Sequence, residues 1–263
     1  MDIKVLNNKD NKLSFVLKDT TPAFANTLRR LMISEVPVLA VRKVTFVKNS
    51  SALFDEMIAH RLGLIPLTTD LDNYVLPSKC SCKGAGCAKC QLSLTLKAEG
   101  PITVYSSDLK SQDPKIKPVF GKMPIVTLLK GQELEFEATV TLGTGKEHAK
   151  YSPALVYYKA YPKITIDKVK NVEEVMKSCP VDVFEVEGKT LKVKNLEACH
   201  LCNACVDISD PKGAVTVEGS EKDFIFTIES WGNLKPREIL DAALNVFDEK
   251  LDEFSNLFDK AKL

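Results

Sequence analysis

The chain has 263 residues, so one or two domains are expected. Its 36 basic and 35 acidic side chains give a formal net charge of +1 at pH 7. This near-neutral balance excludes a protein that wraps nucleic acid through bulk positive charge. Hydrophobic residues make up 44% and charged residues 27%, which excludes a mainly disordered chain. Apolar runs are too short to span a bilayer and the amino terminus lacks an apolar core of signal-peptide length, so we expect a soluble, cytoplasmic protein with no membrane partner.

The first 150 residues predict a strand-rich region with two helices. Alternating polarity, interrupted by Gly and Pro turns, predicts strands at 3–17, 38–47 and 92–98 and several short strands over 99–150. A helix is predicted to begin at Pro22, which follows two threonines, a pattern typical of a helix start. Its apolar face carries Phe24, Leu28, Leu31 and Met32. A second, short helix is predicted over 53–62.

The remaining residues predict strands at 155–166 and 224–228 on either side of a cysteine-rich segment, 167–217. The last thirty residues predict a helix that begins at Pro236, with Glu238 in the first turn, where the helix dipole favours an acid. Apolar residues recur along it every three or four positions: Leu240, Leu244, Phe247, Leu251, Phe254 and Phe258. A stripe of this kind packs either on its own domain or against a partner helix.

The eight cysteines form two groups, which favours metal sites over disulfides in an intracellular chain. Cys199, Cys202 and Cys205 of the later group have the C-x2-C-x2-C spacing of an iron–sulfur loop. A remote Cys-Pro pair offers a fourth ligand, Cys179. The positions that would ligate a second cluster hold Val169, Val172, Val175 and Ser209. The pattern therefore resembles a two-cluster ferredoxin module that retains one [4Fe–4S] cluster. A [3Fe–4S] cluster without Cys179, a zinc site and unligated thiols are the alternatives.

The earlier group is a compact loop that contains Cys80, Cys82, Cys87 and Cys90. Gly84 and Gly86 let the backbone turn tightly between the two cysteine pairs. Four thiolates suit a structural Zn²⁺ ion, which would stabilise a loop too short to have its own core. Two disulfides or free thiols remain the alternatives, since intracellular proteins of hyperthermophiles do contain disulfides.

The chain lacks the common nucleotide-binding, metalloprotease and hydrolase motifs. His60 and His148 have no evident nucleophile or metal partner in the sequence and are interpreted as structural or interface residues. His200 lies inside the later cysteine motif and is interpreted as a neighbour of the ligands or an exposed residue, not as a ligand. One candidate function is an iron–sulfur redox carrier or a component of an oxidoreductase, which would need a second redox site that the sequence does not display.

Several segments resemble the α-like subunits of multisubunit RNA polymerases: Phe24-Ala-Asn-Thr-Leu-Arg-Arg30, Ile33-Ser-Glu-Val-Pro37, and residues 52–62, 64–66, 108–111 and 145–150. With its ferredoxin-like segment, the chain is most similar to the archaeal branch of this family. The resemblance implies an α+β fold with an α-like dimerisation domain (1–45, 152–166 and 218–263). It also implies a mainly β insert domain (46–151) with the four-cysteine loop, and a ferredoxin-like domain (167–217).

The resemblance also implies the partners. The first and last helices would pack against a small α-like subunit, subunit L, through Phe24, Leu28, Leu31, Leu244, Phe247, Leu251 and Phe254. That heterodimer would be the platform for subunits N and P and for the large catalytic subunits, which hold the polymerase active site and contact DNA. The resemblance therefore implies a non-catalytic assembly subunit with no catalytic residue of its own. Members of the family carry two, one or no clusters, and eukaryotic relatives have a zinc loop near residues 80–90.

Overall fold

The computed structural model describes residues 1–261. Within them the chain forms two compact units. One consists of Met1–Lys9, Leu13–Thr27 and Tyr157–Thr227, and the other of Asp10–Lys12, Leu28–Val156 and the described residues from Ile228 onward. None of the described helices combines the length and the apolar character needed to cross a membrane.

The strands, in chain order, are β1 (Asp2–Lys9), β2 (Lys12–Lys18), β3 (Val38–Asn49), β4 (Gln91–Glu99), β5 (Ile102–Tyr105), β6 (Lys110–Ser111), β7 (Pro124–Leu128), β8 (Glu133–Gly143), β9 (Ala154–Ile166), β10 (Phe184–Glu187), β11 (Thr190–Val193) and β12 (Val215–Ser230). The helices are α1 (Pro22–Ser34), α2 (Asp55–Gly63), α3 (Val172–Ser178), α4 (Ala204–Ile208) and α5 (Pro236–Lys260). A mixed fold with several antiparallel sheets results, as expected for an α-like polymerase domain.

Most of the first unit is built on a sheet with the strand order β1-β2-β12-β9. Strand β12 is longer than the predicted 224–228, because it continues through a polar stretch at 218–223 whose composition resembles a turn. Phe15 of β2 stacks on Phe226 of β12, with ring centroids 5.3 Å apart. The same unit contains the small β10-β11 hairpin and the short helices α3 and α4, with their own apolar core.

The second unit contains an antiparallel sheet with the order β3-β8-β4-β6 and a smaller β5-β7 pair. Strand β8 is longer than the short strands predicted between 99 and 150, because it is central and pairs with a neighbour on each side. Helix α2 packs onto this core through Ile58 and Leu62, both fully buried. The four-cysteine loop leads directly into β4.

Helix α1 begins where the sequence predicts it. The Thr21 hydroxyl accepts a hydrogen bond from the backbone N–H of Phe24 at 3.2 Å, which satisfies one of the free amide groups at the helix start. Three of the four residues on the predicted apolar face are buried: Leu28, Leu31 and Met32. Phe24 is partly exposed.

Candidate metal centres and partner-binding helix

Tight turns bring the four cysteines of residues 80–90 together. A single helical turn, Pro77–Lys79, precedes Cys80, and the backbone N–H groups of Lys83 and Ala85 bond back to the carbonyls of Cys80 and Cys82. Gly84 and Gly86 take the left-handed φ values of 81° and 94° that the sequence predicts for glycine at such turns. The loop is closed at its base, where the N–H of Val75 bonds to the carbonyl of Lys89 at 2.9 Å.

The four sulfur atoms form one compact group. Neighbouring sulfurs lie 3.4 Å apart for Cys80 and Cys82, 3.5 Å for Cys80–Cys87 and Cys82–Cys90, and 3.8 Å for Cys87–Cys90. All lie within 4.8 Å of one another. Four sulfurs at about 2.3 Å from a tetrahedral zinc ion are about 3.8 Å apart, whereas a disulfide needs about 2.05 Å. The loop can therefore bind a metal such as zinc, and no pair of its cysteines is disulfide-bonded.

The thiols of this loop differ in their ease of ionisation. The neighbouring Cys80 sulfur lowers the pKa of Cys82 to about 6, whereas burial raises the pKa of Cys90 to about 12. A divalent cation at the centre of the group would favour all four thiolates. Three lysines lie next to these cysteines in the sequence and offset part of the negative charge of such a site: Lys79, Lys83 and Lys89.

The four later cysteines line a single cavity in the first unit. Its walls contain Cys179, Val181, Val183, Phe184, Cys199, His200, Cys202, Asn203, Cys205 and Val217. Burial raises the pKa of the Cys205 thiol, and the other three thiols raise it further by Coulomb repulsion. The remote Cys179 thus lies beside the triplet, as the ferredoxin-type interpretation requires.

The backbone on either side of the middle cysteine of the triplet is left-handed: Leu201 and Asn203 have positive φ values of 61° and 63°. Left-handed residues recur in loops whose backbone N–H groups bind phosphates and iron–sulfur clusters. In the segment that contains the remote cysteine, the N–H of Val183 lies 3.5 Å from the Cys179 sulfur. The donor set, four thiols among apolar walls and backbone amides, fits an iron–sulfur cluster.

The positions that would serve a second cluster are packed with apolar side chains. Val175 is fully buried, and Val169 and Val172 pack against the same core. Ser209 is also buried, and its hydroxyl donates to the carbonyl of Val206 at 2.9 Å. These residues leave no thiol at the second position, so a second cluster would have no cysteine ligand there.

Lys159 is a residue of this site that the sequence analysis does not identify. From β9 its Nζ atom donates to the carbonyls of Glu197, Ala198 and Cys199 at 2.7, 3.2 and 2.6 Å. Burial lowers the pKa of this amine, while Cys199 and Glu197 oppose that shift. The one signal in the sequence is a lysine in the middle of an aromatic and β-branched strand.

Helix α5 has buried residues only in its first turns, and beyond them Glu249 and Lys250 form surface ion pairs with Lys79 and Glu35. Its buried residues are Pro236, Ile239 and Ala243. From Asp248 onward every described residue of the helix is exposed, including the apolar residues Leu251, Phe254, Leu257 and Phe258. The predicted stripe thus divides into a packed beginning and a long exposed end.

The other predicted interface residues are distributed differently. Leu244 is 39% exposed, Phe247 is partly exposed, and Leu28 and Leu31 are buried within this chain. A role for these two leucines at a partner interface remains a prediction. His148 caps a single helical turn by accepting a hydrogen bond from the Lys150 N–H at 3.1 Å, in agreement with a structural histidine.

The chain is similar over almost its whole length to subunits of RNA polymerase. The model of the RNA polymerase Rpb3/RpoA insert domain matches residues 44–159. The DNA-directed RNA polymerase subunit Rpo3 of Methanosphaera stadtmanae is 43% identical over 269 residues, which cover 99% of each chain. Rpo3 of Archaeoglobus fulgidus is 41% identical over 98% of each chain. Rpo3 of Pyrococcus furiosus is 39% identical over 99% of this chain and 98% of its own.

Proposed function

This chain belongs to the Rpo3 family of DNA-directed RNA polymerase subunits, and from that membership we propose that it is a non-catalytic assembly subunit of the archaeal α-like type. In this role it pairs with a small α-like subunit, subunit L, and the pair carries subunits N and P and the large catalytic subunits. The proposal assigns the polymerase chemistry and the contacts with DNA to those large subunits, and no catalytic residue to this chain.

One observation carries the pairing proposal: the exposed apolar half of α5. A single exposed leucine is ordinary on a protein surface, but a contiguous apolar face marks an interaction site. Leu251, Phe254 and Phe258 follow one another at spacings of three and four residues, so they lie on one face of the helix. Helices that present such a face bind a partner helix or groove.

The iron–sulfur assignment is supported by the shared cavity of the four later cysteines. We propose that Cys179, Cys199, Cys202 and Cys205 bind one [4Fe–4S] cluster, with a [3Fe–4S] cluster as the fallback if Cys179 does not ligate. The cluster would connect the two ends of a segment with a small core of its own, so its role in this proposal is structural.

The zinc assignment is supported by the sulfur separations in the earlier loop. We propose that Cys80, Cys82, Cys87 and Cys90 bind one Zn²⁺ ion with no open coordination position. The ion would supply the folding energy that the few buried side chains of this loop do not provide.

The proposed domain division follows the family resemblance. It comprises an α-like dimerisation domain (1–45, 152–166 and 218–263), an insert domain (46–151) and a ferredoxin-like domain (167–217). An independent role as a redox carrier is not favoured, because the relatives that match along the whole chain are named as polymerase subunits.

The test of the pairing proposal is co-purification. The full chain is co-expressed with the small α-like subunit of the same organism, as wild type and as Phe254→Asp. A charge on a face that becomes desolvated loses its hydration without gaining a partner, so we expect Phe254→Asp to weaken co-purification at least tenfold. Phe247→Asp is expected to act in the same direction.

Asn256→Asp is the matched control. It introduces the same charge two residues along the same exposed helix, which places it on roughly the opposite face. We expect wild-type pairing for this control. Wild-type yields of the small subunit with both phenylalanine variants would contradict the pairing proposal.

A further inference from the structure

The segment that enters the later cysteine motif is attached to the sheet of the first unit by a lysine. Lys159 Nζ lies 2.7, 3.2 and 2.6 Å from the carbonyl oxygens of Glu197, Ala198 and Cys199. An ammonium group has three hydrogens, and each has one acceptor here. The carbonyls stand at the end of the single turn Leu196–Ala198, where backbone acceptors lack partners and a cation is favoured.

Two further features lie on either side of Cys199 in the sequence. Gly219 of β12 allows a close approach, since a Cβ atom there would lie 3.2 Å from Leu201 Cδ1 and 2.9 Å from Ala160 Cβ. Lys4 Nζ of β1 lies 3.6 Å from Glu197 Oε1, but both side chains are partly exposed, so this ion pair contributes little. Among these residues, Lys159 alone bonds to the carbonyl of a proposed ligand.

We propose that Lys159 is a positioning residue of the iron–sulfur centre: it fixes the Cys199 backbone on β9 and places a positive charge beside the cluster. This inference rests on the iron–sulfur assignment proposed above. The reduction potential of a cluster depends on the net charge, hydrogen bonding and solvent exposure around it. A partly buried cation is screened less than a surface one, so Lys159 favours the reduced, more negative cluster.

A lysine that only satisfied three carbonyls would affect folding and iron retention but not the electrostatics of the cluster. The potential therefore separates the two roles. K159M keeps the apolar stem of the side chain and removes the charge and the three donors. K159R retains a charge and several donors. K163M is the matched control, because Lys163 lies on the same strand but is exposed.

The experiment uses the full chain, produced without oxygen, as wild type, K159M, K159R and K163M. Iron and sulfide per chain, the rate of iron loss to a chelator, and the midpoint potential of the cluster by electron paramagnetic resonance are measured for each. We expect K159M to have a more negative midpoint and to lose iron several-fold faster. K159R and K163M are expected to stay close to wild type in both measurements.

A K159M protein with the wild-type midpoint would overturn the proposal, whatever its iron retention. If K159M does not accumulate as folded protein, K159Q, which is polar but uncharged, takes its place, and an unchanged midpoint for it would have the same meaning. Wild-type protein that binds no iron after anaerobic reconstitution would overturn the iron–sulfur assignment itself, and this inference with it. The two failures are therefore distinguishable.

Discussion

The rings of Phe254 and Phe258 contact each other one turn apart on α5, with centroids 6.3 Å apart, while the rest of the described chain leaves them 67% and 56% exposed. An aromatic pair at this spacing stabilises an isolated helix by only about 0.2–0.5 kcal/mol. Its apolar surface, however, would contribute much more if a partner covered it. The pair therefore contributes little to the stability of this chain alone, whereas it would contribute much to the proposed pairing with a small α-like subunit.

We predict that Phe254→Ala or Phe258→Ala changes the free energy of unfolding of the isolated chain by less than about 0.5 kcal/mol, as for other exposed positions. Ile239→Ala, a truncation at a fully buried position of the same helix, should cost about 2–5 kcal/mol. Urea denaturation followed by circular dichroism measures both. Equal losses for Phe254→Ala and Ile239→Ala would mean that the exposed face is packed within the chain in solution.

Local signals in the sequence were sufficient to predict most helices and strands. The two threonines before Pro22 predict the start of α1, and Thr21 does cap it. The sequence predicts too short a strand at β12, because its polar residues at 218–223 follow no hydrophobic alternation and are held in the strand by its neighbours in the sheet. The sequence also predicts too short a strand at β8, since the length of β8 depends on pairing with two strands distant in sequence.

The earlier cysteine loop yields a prediction about metal content. Protein produced without added iron should contain about one zinc ion per chain, as expected for one closed site with four thiolates. Cys82→Ser should lose this zinc and lower the melting temperature of the second unit, since metal binding contributes folding free energy. Elemental analysis and thermal denaturation measure the two effects.

Ser81→Ala is the matched control for that loop, because it removes one hydroxyl between two proposed ligands and should leave the zinc content unchanged. The number of thiols that react after chelation separates zinc from disulfides. Zinc-free protein in which no thiol of residues 80–90 reacts under denaturing, non-reducing conditions would contradict the assignment.

Spacing predicts which cysteines of each group lie together, and their roles as ligands remain predictions, but spacing does not predict which other residues hold these segments in place. The turn glycines of the earlier loop are visible in the sequence, whereas the role of Lys159 is not, since its acceptors are 38 to 40 residues away. The same limit applies to α5. Its periodicity predicts an apolar face, but only the positions of the neighbouring elements decide that Ile239 is covered and Phe254 is not.

A buried tyrosine near the four-cysteine loop predicts a pH dependence. The hydroxyl of Tyr74 donates to Asp113 Oδ2 at 2.9 Å, and burial, followed by Asp113, raises the pKa of Tyr74 from 10.0 to about 12. A group whose pKa is higher in the folded than in the unfolded state stabilises the fold at pH values below its unfolded pKa. This stabilisation is lost as the pH rises through the folded pKa. The contribution of Tyr74 is therefore complete below pH 10 and is lost between pH 10 and about 12.

Tyr74→Phe should cost about 1 kcal/mol at pH 7, since it removes one hydrogen bond. The free energy of unfolding of this variant should also decline less than that of the wild type between pH 10 and 12, because the variant has no phenol to ionise. The relevant measurement is the difference in free energy of unfolding between the two proteins at each pH in this range, because other groups titrate equally in both. Curves that stay parallel up to pH 12 would show that Tyr74 is not held in its neutral form.

The remote ligand of the later cysteine group provides the last prediction. Cys179 and Cys202 line the same cavity, but Cys202 is exposed and Cys179 is partly buried. If both ligate, neither Cys179→Ser nor Cys202→Ser should retain a full [4Fe–4S] cluster, and the iron content of each should fall at least to that of a [3Fe–4S] cluster, because the four-iron cluster is held by four thiolates. Ser178→Ala, a change beside Cys179 that removes no thiol, is the control.

Loss of the cluster should loosen residues 167–217 first, since their apolar core is small. Hydrogen exchange of each variant measures this loosening, and co-purification measures pairing with the small α-like subunit. Catalysis by an already assembled polymerase should not change, because no catalytic group is lost. Full [4Fe–4S] occupancy in Cys179→Ser would refute the remote ligand, and normal assembly of a cluster-free Cys202→Ser protein would refute the structural role.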